Sequence, residues 1–162
     1  MPSPRAGGER TIGQLWRTAA AAGRTNPAYL VEGEDGWAEI SWEEAARTVD
    51  ELANGLLALG LRKGDAVGIL AQTSIEWALF DFALGLIGAV GAAVYANSSP
   101  KDARYVLEHS DAVAVLVENE EQRAKIVGTH IPHVLSFADR VNHGVRILPP
   151  ASRLVAARKI DR

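Results

Sequence analysis

The stretch Ser41–Pro100, SWEEAARTVDELANGLLALGLRKGDAVGILAQTSIEWALFDFALGLIGAVGAAVYANSSP, decides the fold. Ser41-Trp42-Glu43-Glu44 has the S-x-x-E form of a capping box, in which the serine oxygen accepts from a backbone N–H three residues on and the glutamate reaches back. A helix opens there. Ala45, Val49, Leu52, Ala53, Leu56 and Leu57 lay one apolar stripe along it until Gly60 supplies a left-handed stop. Lys63-Gly64-Asp65 turns the chain into Ala66–Leu70, a short uncharged run suited to a strand covered on both faces. The unit then repeats. Thr73-Ser74-Ile75-Glu76 reads as a second capping box, its helix runs to about Ile87, and the apolar run Ala92–Ala96 follows as a strand that Asn97-Ser98-Ser99-Pro100 breaks.

The alternation continues downstream. Ser99 as cap and Pro100 at the first helical position start a helix through His109, with Tyr105, Val106 and His109 spaced along it. Ala112–Val117 reads as a strand, Asn119 caps a helix from Glu120 to Val127 that Gly128 ends, and His133–Phe137 is one more strand. Upstream, Thr11–Ala22 carries Ile12, Leu15, Trp16, Ala19 and Ala20 at helical spacing, with Thr11 available as a cap. Ala28–Val31 and Trp37–Ser41 flank the charged, glycine-bearing turn Glu32–Gly36 and are expected to pair as a hairpin. Strands alternating with helices predict an α/β fold, a mostly parallel sheet flanked by helices and joined by right-handed crossovers.

Bulk properties bound the function. The 162 residues suit one domain, and 48% hydrophobic with 23% charged residues is ordinary for a soluble globular chain. A net charge of −3 gives no electrostatic basis for binding nucleic acid or an anionic membrane. The absence of cysteine removes disulfides, thiolate catalysis and Cys-ligated metals together. Met1–Trp16 holds no apolar run of the signal-peptide kind, so export by that route is not expected. Phe82–Ala96 is uncharged, but its 15 residues fall short of the roughly 20 that span a bilayer, and no transmembrane segment is expected. The composition shifts at Ala138. From there to Arg162 six Lys or Arg face two Asp. With Pro149-Pro150 and no long periodicity, this is read as a divergent basic tail, weakly ordered, after a domain of residues 1–137.

Several residues invite a sharper reading. Gly85, Gly88 and Gly91 are spaced G-x-x-G-x-x-G at a helix end rather than between a strand and a helix start, which favours helix termination and close packing over phosphate binding. Gln72, Thr73 and Ser74 follow a strand's carboxyl end and precede a helix, where open α/β sheets hold ligands, yet capping alone accounts for them. His130 and His133 stand three apart with Pro132 between them and no acidic or thiol ligand nearby, a poor metal site. Trp42 and Trp77 fall in the first turns of helices, where aromatic rings pack on the sheet. No G-x-S-x-G occurs, which sets aside a serine hydrolase of the elbow type.

Taken together, Thr11–Phe137 resembles the opening third of the AMP-forming acyl-CoA synthetases, adenylate-forming enzymes, in their long-chain fatty-acid branch. The most specific pieces are the serine-aromatic-glutamate helix start at Ser41, the Leu59–Asp65 turn of form L-G-x-x-x-G-D, the Glu76-Trp77 pair and the GAV-to-SSP passage from Gly88 to Pro100. The resemblance implies the N-terminal part of an AMP-binding domain. It further implies a ligase that joins a carboxylic acid to AMP and then passes the acyl group to coenzyme A, using ATP, Mg and CoA.

The family closes a Ser/Thr/Gly-rich loop on the ATP phosphates with a lysine, in the form TSGTTGxPKG, because backbone N–H groups and a cation must neutralise the polyphosphate. No segment of this sequence has that form. The family's adenine and ribose contacts, metal-binding glutamate and C-terminal lysine also lie outside the resembling span. No catalytic, cofactor-binding or metal-ligating residue therefore carries over, and the chain alone is expected to bind no cofactor. Fatty acid, ATP and CoA are expected as partners only of a complete enzyme, with a complementing C-terminal polypeptide. The resemblance also implies a cytoplasmic protein, brought to membranes only through the family's lipid substrate. The alternatives are a non-catalytic remnant, a small-ligand binding module with a polar pocket near Gln72–Ser74, or half of a split enzyme.

Overall fold

A computed structural model describes residues 11–33 and 36–137. Cap chemistry sets where its helices begin. At α1 (Ile12–Ala20), Thr11 Oγ1 accepts from the Gln14 N–H at 3.2 Å while Gln14 Oε1 accepts from the Thr11 N–H at 3.0 Å. After the hairpin of β1 (Tyr29–Gly33) and β2 (Gly36–Ile40), α2 (Trp42–Leu59) opens in the same reciprocal way. Ser41 Oγ accepts from Glu44 N at 3.1 Å and Glu44 Oε2 from Ser41 N at 3.0 Å. Gly60, at φ 107°, closes α2 in the left-handed conformation that a side chain would resist.

Beyond this point strand and helix alternate as β3 (Ala66–Leu70), α3 (Ile75–Ile87), β4 (Val90–Val94), α4 (Pro100–His109), β5 (Ala112–Val117), α5 (Glu120–Lys125) and β6 (His133–Ser136). The four later strands form one sheet in the order β4-β3-β5-β6, every neighbouring pair parallel. The α/β fold with a parallel sheet flanked by helices is thus the observed one. The hairpin is a separate antiparallel pair with Tyr29 opposite Ile40 and Gly33 opposite Gly36. Of its expected turn Glu32–Gly36, the residues Glu32, Gly33 and Gly36 belong to the strands, while Glu34 and Asp35, and the basic segment from Ala138, lie outside the described residues.

Two apolar cores sit on opposite faces of the sheet. Val67 and Ile69 of β3 join Val49, Leu52 and Leu56 of α2 and Leu79, Phe80 and Leu84 of α3 in the larger one. Leu70, pointing the other way by strand alternation, joins Ala103 and Leu107 of α4 with Ile126, Ile131 and Val134. Gly68 shares that second face. A Cβ there would collide with Leu107 Cδ2 and stand 3.1 Å from Val115 Cγ2, so the missing side chain is what admits α4.

Some expectations need correction. The apolar face of α1 is turned: Gly13 and Trp16 are buried, whereas Ile12 and Leu15 are half exposed. The cause is a close crossing, for a Cβ on Gly13 would lie 2.9 Å from the Gly85 carbonyl oxygen of α3. The stripe of α2 holds except at Leu57, which is exposed. On α4 the buried positions are Ala103 and Leu107, and Tyr105, Val106 and His109 face outward, with the Tyr105 and His109 rings stacked 5.4 Å apart. The fourth strand is Val90–Val94, two residues earlier than expected, because the Val90 N–H donates to Asp65 O (2.8 Å) and fixes its start beside β3. The fifth helix stops at Lys125, short of Val127.

Candidate functional site

In a parallel sheet all carboxyl ends emerge at one edge. Here β3 is followed in sequence by β4 on one side and β5 on the other, so the connections leave in opposite directions between β3 and β5. Such a switch point opens a crevice where α/β proteins hold ligands. The residues that frame it are Gln72, Thr73 and Ser74 after β3, and Glu118 and Asn119 after β5.

Local chemistry ties the two loops together. Glu118 is 7% exposed, and its Oε2 accepts from the Gln72 N–H at 3.0 Å, while the Glu118 N–H donates to Leu70 O at 3.2 Å. A carboxylate therefore sits at the mouth of the crevice. Its place after an all-apolar strand carries no sequence signature, so the reading of the residues missed it. Asn119 is occupied as the cap of α5, its Oδ1 accepting from Gln122 N at 3.0 Å. A second connection leaves β4 at Tyr95–Ser99. There the Ala96 carbonyl accepts from Gln122 Nε2 (3.0 Å) and Lys125 Nζ (2.6 Å), which pins the loop to α5.

The three residues singled out after β3 do reach this crevice. Gln72 and Thr73 are exposed and Ser74 is half-buried. Ser74, not Thr73, is the cap of α3: its backbone is extended and its Oγ accepts from Trp77 N at 3.3 Å. The expected box is out of step by one residue, because the position three beyond Ser74 is Trp77, which cannot reach back as a glutamate does. Capping thus consumes the serine and leaves Thr73 and the Gln72 side chain at the crevice.

The remaining candidates lie elsewhere. Gly88 is the left-handed cap of α3 at φ 73°, Gly85 meets α1, and Gly91 lies within β4, so the three glycines share no loop. His130 is exposed and His133 begins β6, at the sheet's opposite edge. Among the described residues no three His, Cys, Asp or Glu gather as a metal site. Trp42 and Trp77 are half-buried against the larger core, with the Arg24 guanidinium 4.5 Å above the Trp42 ring. Among the described residues no helix is long and apolar enough to cross a membrane. The crevice offers one buried carboxylate, a hydroxyl, an amide and a helix N-terminus. That set can orient a ligand, but it does not pair a nucleophile with a base.

Comparison with known proteins agrees with this architecture. Long-chain-fatty-acid–CoA ligase FadD15 of Mycobacterium tuberculosis is 33% identical over 156 residues, covering 85% of this chain and 26% of its own. Long-chain-fatty-acid–CoA ligase ACSBG2 of Mus musculus is 27% identical over 117 residues, covering 72% and 18%. The chain thus spans about a quarter or less of the length of these curated relatives. Among solved structures, the N-terminal domain of FACL13 from Mycobacterium tuberculosis superposes with a TM-score of 0.68 at 20% identity, over 75% of this chain and 31% of that one. The N-terminal subdomain of Klebsiella oxytoca NpsA, in complex with 3-hydroxyanthranilyl-AMSN, gives 0.66 at 25% identity, over 83% and 33%. The profile described as AMP-binding enzyme matches residues 15–152, running past Phe137, and with most of its length so matched the chain belongs to the AMP-binding enzyme family.

Proposed function

We propose that this chain is the N-terminal portion of an ATP-dependent long-chain fatty acid–CoA ligase, cytoplasmic, and inactive until the rest of the ligase is supplied. The observation that carries the reading is the agreement of its relatives. FadD15 and ACSBG2, from a bacterium and a mammal, are both long-chain-fatty-acid–CoA ligases. Inactivity of the chain alone rests on chemistry. Adenylate formation needs a cradle of N–H groups and a lysine around the polyphosphate, and neither the sequence nor the switch-point crevice supplies one. In this reading ATP, Mg, fatty acid and CoA are bound by the completed enzyme, and a C-terminal polypeptide is the complementing partner.

The test joins this chain to the part of Mycobacterium tuberculosis FadD15 that follows the matched span. The chain alone should exchange no pyrophosphate into ATP with any fatty acid. The folded fusion should form acyl-CoA from a long-chain acid. Acid-dependent exchange by the chain alone would refute its inactivity, and a folded fusion that accepts aromatic but not long-chain acids would refute the substrate class.

A further inference from the structure

The hairpin has two unlike faces. Alternate residues of β1 and β2 turn inward, where Tyr29, Val31 and Ile40 pack on the larger core. The intervening ones turn outward: Leu30 is 57% exposed and Trp37 66% exposed, with Glu32 and Glu39 exposed beside them. Register sets each apolar side chain opposite a carboxylate, Leu30 across from Glu39 and Trp37 across from Glu32. The acid extends past the strands, for Ala28–Glu44 holds six Asp or Glu and no Lys or Arg. Among the described residues no ion pair reaches Glu32, Glu39 or Glu43. A single exposed leucine or tryptophan is commonplace, but the two together amid uncompensated acid make a surface suited to a segment that is both basic and apolar.

The chain carries such a segment. From Ala138 to Arg162 its six Lys or Arg are interleaved with Val145, Ile147, Leu148, Leu154, Val155 and Ile160. This stretch has four positive charges in excess, whereas residues 1–137 have seven negative charges in excess. It departs from Phe137, which packs against the same core that the hairpin covers. Its 25 residues span roughly 80 Å when extended, against a radius of gyration of roughly 14 Å for a domain of this size, so the hairpin face is within reach.

We propose that the outer face of the β1–β2 hairpin is the docking surface for this chain's own basic segment, Ala138–Arg162, whose cations meet Glu32 and Glu39 and whose aliphatic residues cover Leu30 and Trp37. The attachment asks for opposite charge and apolar contact rather than a folded element, and it stands independently of the ligase reading. A tether holds the segment at an effective concentration on the order of millimolar, so weak contacts suffice. A second copy of the chain offers the same pair of surfaces without that advantage, and an anionic lipid surface is repelled by the acid.

Limited trypsin digestion of the full chain, followed by mass spectrometry, reads the segment directly through cleavage after Arg146, Arg153 and Arg158. Glu32→Gln combined with Glu39→Gln should speed that cleavage about fivefold, the scale of two exposed ion pairs. Trp37→Ser should act in the same direction. Glu108→Gln combined with Asp111→Asn removes the same charge from exposed positions at the end of α4 and should leave the rate unchanged. Cleavage after Arg104, half-buried in α4, reports opening of the domain itself and should stay constant throughout. In about 0.5 M salt, where screening acts within roughly 4 Å, the wild-type rate should rise more than that of the hairpin variant. Equal rates in the hairpin and α4 variants would overturn the proposal. So would protection of the segment that grows with protein concentration, which would assign the surface to a second copy.

Discussion

At the scale of single residues, small groups and one buried carboxylate determine more than the large side chains. Gly68 is a gap that Leu107 fills, so Gly68→Ala must push α4 off the sheet or force Leu107 out of its rotamer. Overpacking of this kind typically costs about 1–3 kcal/mol, and a lower midpoint in urea without a change of slope is the expected result. Asp81 behaves oppositely. Because burial raises its pKa above 3.8, the folded state favours its protonated form. The stability it contributes is fully present below that ordinary value and is lost as pH climbs through the raised one. Relative to Asp81→Asn, the wild-type chain should therefore lose stability as pH rises from about 4 through the raised value, as read from denaturation midpoints measured in parallel. A constant difference across that range would show that Asp81 is not desolvated. The same scale explains what the sequence could not show. Glu118 meets Gln72 across 46 positions of chain, and a lone acid after an apolar strand has no pattern to betray it.

Elements were legible where their ends carry side-chain chemistry and less so where they do not. Thr11, Ser41, Ser99 and Asn119 all cap the helices they precede, each accepting from the N–H three residues on. Those starts could be read because the capping oxygen and its spacing are local. The start of β4 could not, since Gly88–Val94 is uniformly small and apolar and its phase is set by backbone bonds to the turn before β3, Gly64 N–H to Gly88 O and Val90 N–H to Asp65 O. The inner face of α1 was misjudged for a related reason: apolar periodicity ranks Ile12 and Leu15 above a glycine, whereas close helix contact selects the glycine. The one-residue shift at α3 offers a clean check. Ser74→Ala should cost about 1 kcal/mol, the usual loss of a cap, while Thr73→Ala should stay within about 0.5 kcal/mol. Thermal unfolding of the two variants side by side distinguishes the observed cap from the expected one, and a larger loss at Thr73 would restore the original frame.

For the molecule as a whole, the decisive asymmetry is between the two faces of the sheet. One face carries α1, α2 and α3 with a continuous core from Trp16 through Phe80 to Leu135, reinforced by the Trp16 and Phe82 rings stacked at 4.3 Å. The other carries α4 and the six-residue α5, whose buried anchors are few: Ala103 and Leu107 on α4 and Gln122 on α5, with Ile126 just past its end. Burying a large aliphatic or aromatic side chain stabilises by roughly 1.5–3 kcal/mol, so the two faces cannot be equally hard to open. Proteins open in cooperative units whose free energies follow this local density of apolar contact. The α4 and α5 face should accordingly detach in a sub-global opening, with amides of Ala103–Leu107 exchanging through a state of lower free energy than those of Val49–Leu56. Native-state hydrogen exchange over a series of low denaturant concentrations measures both. The α2 amides should merge with the global unfolding line, and the α4 amides should join it only from below, with a smaller dependence on denaturant. Leu107→Ala sharpens the test, because it should lower the α4 opening free energy by about 2–5 kcal/mol, the usual cost of a leucine cavity, before it touches α2. If both helices instead exchange along one line in both proteins, the two cores form a single cooperative unit and the division by faces fails.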